Sequence, residues 1–209
     1  MKHVVLLGDS IFDNAAYVAG GPDVVKQLRA ALPNDWRATL NALDGAVIAD
    51  VIAQLQRRPA DASHLVVSVG GNDALLAVGV IDERARSVGE ALDKLTGVRE
   101  QFWRGYAALL DAVAAAGLPA AVCTIYEPRF PEPDRRRIAA SALTLLNDCI
   151  TREAFRRNFS LIDLRLICDT DDDFANPIEP SVHGGAKIAA AIAGFVTGAG
   201  APGSSVIAR

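Results

Sequence analysis

Short uninterrupted runs of aliphatic residues alternate with longer stretches in which apolar residues recur every three or four positions along the 209-residue chain. A run of four to six apolar residues without polar alternation is a strand buried on both faces, and such a strand has to be covered by helices above and below. The pattern therefore predicts an α/β fold: one domain of three layers, α/β/α, around a five-stranded parallel sheet. The strands are expected at Val4 to Leu7, Arg37 to Ala42, Leu65 to Val69, Ala120 to Ile125 and Ser160 to Leu164. Helical spacing predicts helices over Asp23 to Leu32, Ala49 to Gln56, Val98 to Ala116, Arg135 to Phe155 and Ala186 to Val196, with Gly117 and Pro119 ending the third of them. Hydrophobic residues make up 51% of the chain, enough for a single core, and no linker or repeat divides it. The domain is expected to span residues 1–198, and the Gly- and Ser-bearing stretch 199–209 reads as a loosely held tail.

The net charge of −4 and the lack of any basic cluster interleaved with aromatics point away from nucleic acid as a partner. The basic run Arg135 to Arg137 reads as a solvated helix face. Cys123, Cys149 and Cys168 are widely spaced and odd in number, which suits buried free thiols better than a disulfide framework or a zinc site. The apolar run after Met1-Lys2-His3 is too short for a leader, no run approaches membrane-spanning length, and the expected location is the cytoplasm.

An open parallel sheet binds its ligands beyond the carboxyl ends of the strands, and that rule ranks the polar residues. The first strand runs into Gly8-Asp9-Ser10, where a glycine turn sets a serine at the catalytic end of the sheet. The third runs into Gly70-Gly71-Asn72-Asp73, whose Asn amide can donate to a developing oxyanion. Gly45, after the second strand, can offer a backbone N–H to the same oxygen. Taken singly, each has an ordinary reading as turn or helix-cap chemistry. Asp9 and Asp73 are expected to organise their turns through side-chain to backbone hydrogen bonds.

In this order and spacing, Gly8-Asp9-Ser10, Gly45 and Gly70-Gly71-Asn72-Asp73 make the sequence resemble the SGNH hydrolases, also called GDSL esterases and lipases, over Leu7 to about Ala190. The resemblance implies a flavodoxin-like sheet and a serine hydrolase working through an acyl-enzyme on a small-molecule ester, with no cofactor. It implies Ser10 as nucleophile, and the Ser10 N–H, the Gly45 N–H and the Asn72 side chain as the oxyanion hole.

The last block departs from the family pattern Asp-x-x-His-Pro, for the chain reads Asn176-Pro177-Ile178-Glu179-Pro180, with glutamate where the histidine is expected. A histidine follows four residues later, in Ser181-Val182-His183. His3 and His64 precede the first and third strands and so lie at the opposite end of the sheet. Three readings stay open. His183 takes the Ser10 proton, oriented by Glu179, Asp173 or Asp172; or Glu179 does so itself, if burial raises its pKa; or the site has lost hydrolysis and the protein is a ligand-binding module. A nucleotide-binding domain is disfavoured, since the chain has neither G-x-G-x-x-G after a strand nor a Walker loop. The acidic run Asp169 to Asp173 reads as a solvated loop rather than a metal site, Tyr126 and Glu127 as pocket residues, and Trp36 and Trp103 as core.

Overall fold

A computed structural model describes residues 1–198, so the expected tail lies outside the described residues. Five strands, β1 (Lys2–Gly8), β2 (Trp36–Leu40), β3 (His64–Ser68), β4 (Ala120–Cys123) and β5 (Ser160–Ile162), form one parallel sheet in the order β2-β1-β3-β4-β5. The first strand is central, and its register sets Leu6 beside Leu40 on one side and Val66 on the other. Among the described residues, seven α-helices connect and cover the strands: α1 (Val24–Ala31), α2 (Ile48–Gln56), α3 (Gly71–Leu76), α4 (Val88–Ala115), α5 (Pro133–Arg156), α6 (Leu164–Ile167) and α7 (Val182–Thr197).

Strand periodicity divides the core in two. Val4 and Leu6 point to the face covered by α1 and α7, where Leu28, Ile188 and Ile192 meet them. Val5 and Leu7 point to the other, covered by α2, α4 and α5 through Val51, Leu109 and Ile150. All four of these β1 side chains are fully buried, which is why this strand reads as a continuous apolar run. The three cysteines are buried and free.

The predicted strands and helices are present, with shifted ends. The long helix α4 begins at Val88, ten residues before the apolar stripe that predicted it, capped by Ser87 accepting from the Glu90 N–H. Its first turns carry exposed Val88 and Leu92, so no buried face announces them. Helix α7 begins at Val182 rather than Ala186, capped by Ser181, whose hydroxyl accepts from the His183 and Gly184 N–H groups. Gly184 in its first turn is required for space, since a Cβ there would lie 2.2 Å from the Asp173 carbonyl oxygen. The short α3 and α6 carried no period of their own.

Two other expectations need correcting. Asp173, at the end of the acidic run, is fully buried and holds Lys187 at 2.9 Å, rather than lying in a solvated loop. Trp103 is 40% exposed and donates to Glu153, whereas Trp36 is in the core. The run Arg135 to Arg137 does lie along the first turns of α5, with Arg136 paired to Asp171 and Arg137 to Asp134.

Candidate active site

The site is built where β1 ends. Gly8 takes a φ of +133°, and a Cβ there would sit 1.7 Å from the Ser68 carbonyl oxygen, so only glycine lets β1 turn this tightly against β3. Gln54 of α2 locks the turn, its amide bonding both the N–H and the carbonyl of Gly8 at 2.7 and 2.8 Å. Asp9 then accepts from the Ile11 N–H, the local turn bond expected of it, and Ser10 follows, buried but lining a cavity of about 540 Å³.

Glu179 reaches Ser10 from a loop held on several sides. Phe174 and Pro180 pair in an antiparallel bridge, and the Ala175 N–H donates to the Glu179 carbonyl. Asn176 Oδ1 accepts from the N–H groups of both Ile178 and Glu179, each at 2.9 Å. Tyr126 donates to the Ile178 carbonyl at 2.6 Å, and Asn14 to that of Pro180 at 3.1 Å. Asn176 thus shapes the backbone of this loop, with no bond to the Glu179 carboxyl among the described residues.

So placed, Glu179 Oε1 accepts from the Ser10 hydroxyl at 3.1 Å, while Oε2 is buried without a partner. A carboxylate with one hydrogen bond and little water is poorly stabilised as an anion. Burial pushes its pKa up to about 7, against the lowering effect of the Ser10 bond and with a small further rise from the Asp44 charge. Asp9 is pushed up to about 8, chiefly by burial, with the negative charges of Glu179 and Asp73 adding to it. Cys123, deeper in the same core, is inert, its thiol driven far above the usual range by burial.

His183 lies elsewhere. Its side chain is 62% exposed, its Nε2 faces Asp173 Oδ1 at 3.7 Å, and it does not line the Ser10 cavity. The structure brings Ser10 and Glu179 together and leaves the predicted alternative base on the first turn of α7. Of its suggested orienting residues, Asp173 is the one whose carboxylate comes within 4.0 Å of the ring among the described residues. Glu127, expected in the pocket, does not line it, whereas Tyr126 does.

Of the loops after β2 and β3, the second brings Asn72 to the wall of the Ser10 cavity, whereas Gly45 in the first is not among the residues lining it. Gly45 adopts a φ of +78°, and Asn72 Nδ2 donates to the Ala46 carbonyl at 3.0 Å, which ties the two loops together and leaves the amide a second hydrogen to donate. Asp73 accepts from the Ile48 N–H at 3.1 Å and from its own backbone N–H, so it organises the start of α2 as well as its own turn. Gln54 and Asn147, whose amide bonds both the N–H and the carbonyl of Ile125, were missed from sequence. Their signal was a polar residue at a core-facing helical position, and both brace a strand end beneath the site.

The model of the GDSL-like Lipase/Acylhydrolase family matches residues 6–190. An extracellular lipase of Streptomyces rimosus is similar in structure, with a TM-score of 0.65 at 20% identity, over 96% of this chain and 100% of that one. A member of the lipolytic G-D-S-L family from Veillonella parvula gives a TM-score of 0.68 at 15% identity, over 94% and 99%. An aryl esterase of M. smegmatis gives 0.67 at 14%, over 95% and 99%. At these identities the likeness is one of fold. No curated protein matches the sequence.

Proposed function

Since the chain belongs to the GDSL-like lipase/acylhydrolase family, we propose that it is a carboxylic ester hydrolase in which Ser10 is the nucleophile and Glu179, in place of the histidine, is its base. The observation that carries this reading is the buried hydrogen bond from Ser10 Oγ to Glu179 Oε1. An ordinary carboxylate is too weak a base for a serine hydroxyl. One held near pH 7 by burial is a stronger one, and its protonated form is a useful acid at the same pH.

Ionised Glu179 takes the Ser10 proton as Oγ attacks the ester carbonyl. The oxyanion lies among the Ser10 N–H, the Gly45 N–H and the Asn72 amide, fixed donors in a partly dry site. Glu179 returns the proton to the departing alkoxide and leaves an acyl-serine. It then takes a proton from water, which attacks the acyl group, and the acid leaves as the proton returns to Ser10 Oγ. Asp9, neutral at pH 7 by its raised pKa, adds no second negative charge beside Glu179.

Hydrolysis of p-nitrophenyl acetate and butyrate by wild type, Ser10→Ala, Glu179→Gln and His183→Ala tests the assignment. The expected result is loss of activity in the first two variants, its retention in the third, and labelling of Ser10 by an organophosphonate. Loss in Ser10→Ala and His183→Ala with an active Glu179→Gln restores the histidine as base. A wild type that neither hydrolyses nor labels identifies the binding-module alternative, for which the altered last block is the supporting observation.

A further inference from the structure

The cavity at Ser10 has more apolar wall than a two-carbon acyl group needs. Its polar lining gathers at the strand ends, around Ser10, Asn72, Thr124 and Glu179. Beyond Ile125 and Tyr126 the wall is built from three helical segments: Val78 and Ile81 of a 3-10 turn (Val78–Asp82), Leu95 and Val98 of α4, and Ile138 and Ala142 of α5. A second hollow of about 300 Å³, open to the surface between α4 and α5, adjoins it through a shared wall. The two share Ile81, Leu95, Ile138, Ala142 and Leu145, and the second touches neither Ser10 nor Glu179. The polar groups on the outer walls, Asp82 and Arg135 of the first cavity and Arg137 and Ser141 of the second, belong to exposed residues, and the Arg135 guanidinium stacks on Phe130 at 4.1 Å.

A channel that is polar at the reacting end and apolar along the rest matches one substituent of an ester, a flexible hydrocarbon chain. It does not match a sugar, whose hydroxyls would lose their water without finding partners. We infer that this channel holds the acyl chain of the substrate, so that the enzyme is selective for medium- to long-chain acyl esters, with Ala142 at the junction of the two cavities setting how far the chain extends. This rests on the reading of Ser10 as an acylated nucleophile. The acyl group, unlike the alcohol, must stay in place through two chemical steps, and the channel begins at the atom that carries it.

The test is kcat/KM for p-nitrophenyl esters from acetate to laurate, each below its aggregation concentration, beside an alkyl acetate series in which only the alcohol lengthens. Burial of each methylene is expected to raise kcat/KM about two- to fourfold, giving an octanoate-to-acetate ratio of roughly a hundred or more. In Ala142→Trp that ratio is expected to fall by about tenfold or more, as the indole plugs the junction. A flat acyl series with measurable acetate turnover overturns the inference and leaves the hydrolase reading intact, as does a slope found in the alkyl acetates instead. If no ester is cleaved, the hydrolase reading falls by itself, and laurate displacing a fluorescent fatty acid from wild type and Ser10→Ala reads the channel directly. Displacement, weakened in Ala142→Trp, supports the channel; no binding overturns it.

Discussion

Replacing Glu179 with glutamine should favour the folded protein more at pH 8 than at pH 5 as it disables it. The substitution keeps the shape and an oxygen to accept the Ser10 hydroxyl and removes the ionisation. It also sets an NH2 group where Oε2 is buried without a partner. That cost of about 1–3 kcal/mol is the same at every pH, so the ionisation is read from the difference between two pH values. Burial raises the Glu179 pKa from 4.5 to about 7, so the folded protein holds this proton more tightly than the unfolded chain does. Stability from the protonated group is therefore fully present below pH 4.5 and is lost as the pH rises through 7. At about 1.36 kcal/mol for each pH unit between the two pKa values, ionisation costs roughly 3 kcal/mol at pH 8 and roughly 1 kcal/mol at pH 5. With Glu179 only 6% exposed, water screens little of this. Neighbouring Asp9 reinforces the effect, because losing the Glu179 charge eases its own ionisation. For a chain of this length, removing the ionisation is expected to contribute about 6–12 °C to Tm at pH 8 and about 2–4 °C at pH 5. Calorimetry of both proteins at the two pH values reads the difference, while kcat/KM for p-nitrophenyl acetate is expected to fall at least about a hundredfold. A change in stability that is the same at both pH values would refute the raised pKa; an active variant would refute the base.

In wild type, kcat/KM should rise with pH and reach half its maximum near 7, since only ionised Glu179 can take the Ser10 proton; a profile flat from pH 5 to 9 would exclude it as the base. Installing the family's own pair, Glu179→His with Asn176→Asp, is expected to retain ester hydrolysis with that limb displaced towards about 6.5, the ordinary histidine value, and an inert double variant would show that this loop does not present an imidazole to Ser10. Asn72→Ala should lower kcat about a hundredfold or more by removing an oxyanion donor, with a thermal melt to separate that from loss of the bond to Ala46. Gly8→Ala has no room, with its Cβ 1.7 Å from the Ser68 carbonyl oxygen, and should lose at least about 3 kcal/mol in urea unfolding; a variant as stable as wild type would mean that the β1 turn is not as tight as described.

The sequence determined the layers, because burial on both faces leaves a strand no polar positions, and β1, with Val4, Val5, Leu6 and Leu7 all buried, carries that requirement in its composition. It also determined where chemistry could sit, since the Gly8 and Gly70 turns need the positive φ that both adopt, at the carboxyl ends of β1 and β3. Helix starts were less legible: the first turns of α4 bury no apolar face, and those of α7 hold Gly184, required by a neighbouring backbone. Which of Glu179 and His183 lies against Ser10 was not legible in the sequence, because the two stand only four residues apart. The tertiary structure decided it: bonds from Tyr126, Asn14 and Asn176 pin the backbone from Ile178 to Pro180 so that the Glu179 carboxyl meets Ser10. Ser181 then starts α7 and carries His183 out to face Asp173. The same enclosure that aims the carboxyl removes its water, so its position and its basicity have one physical cause.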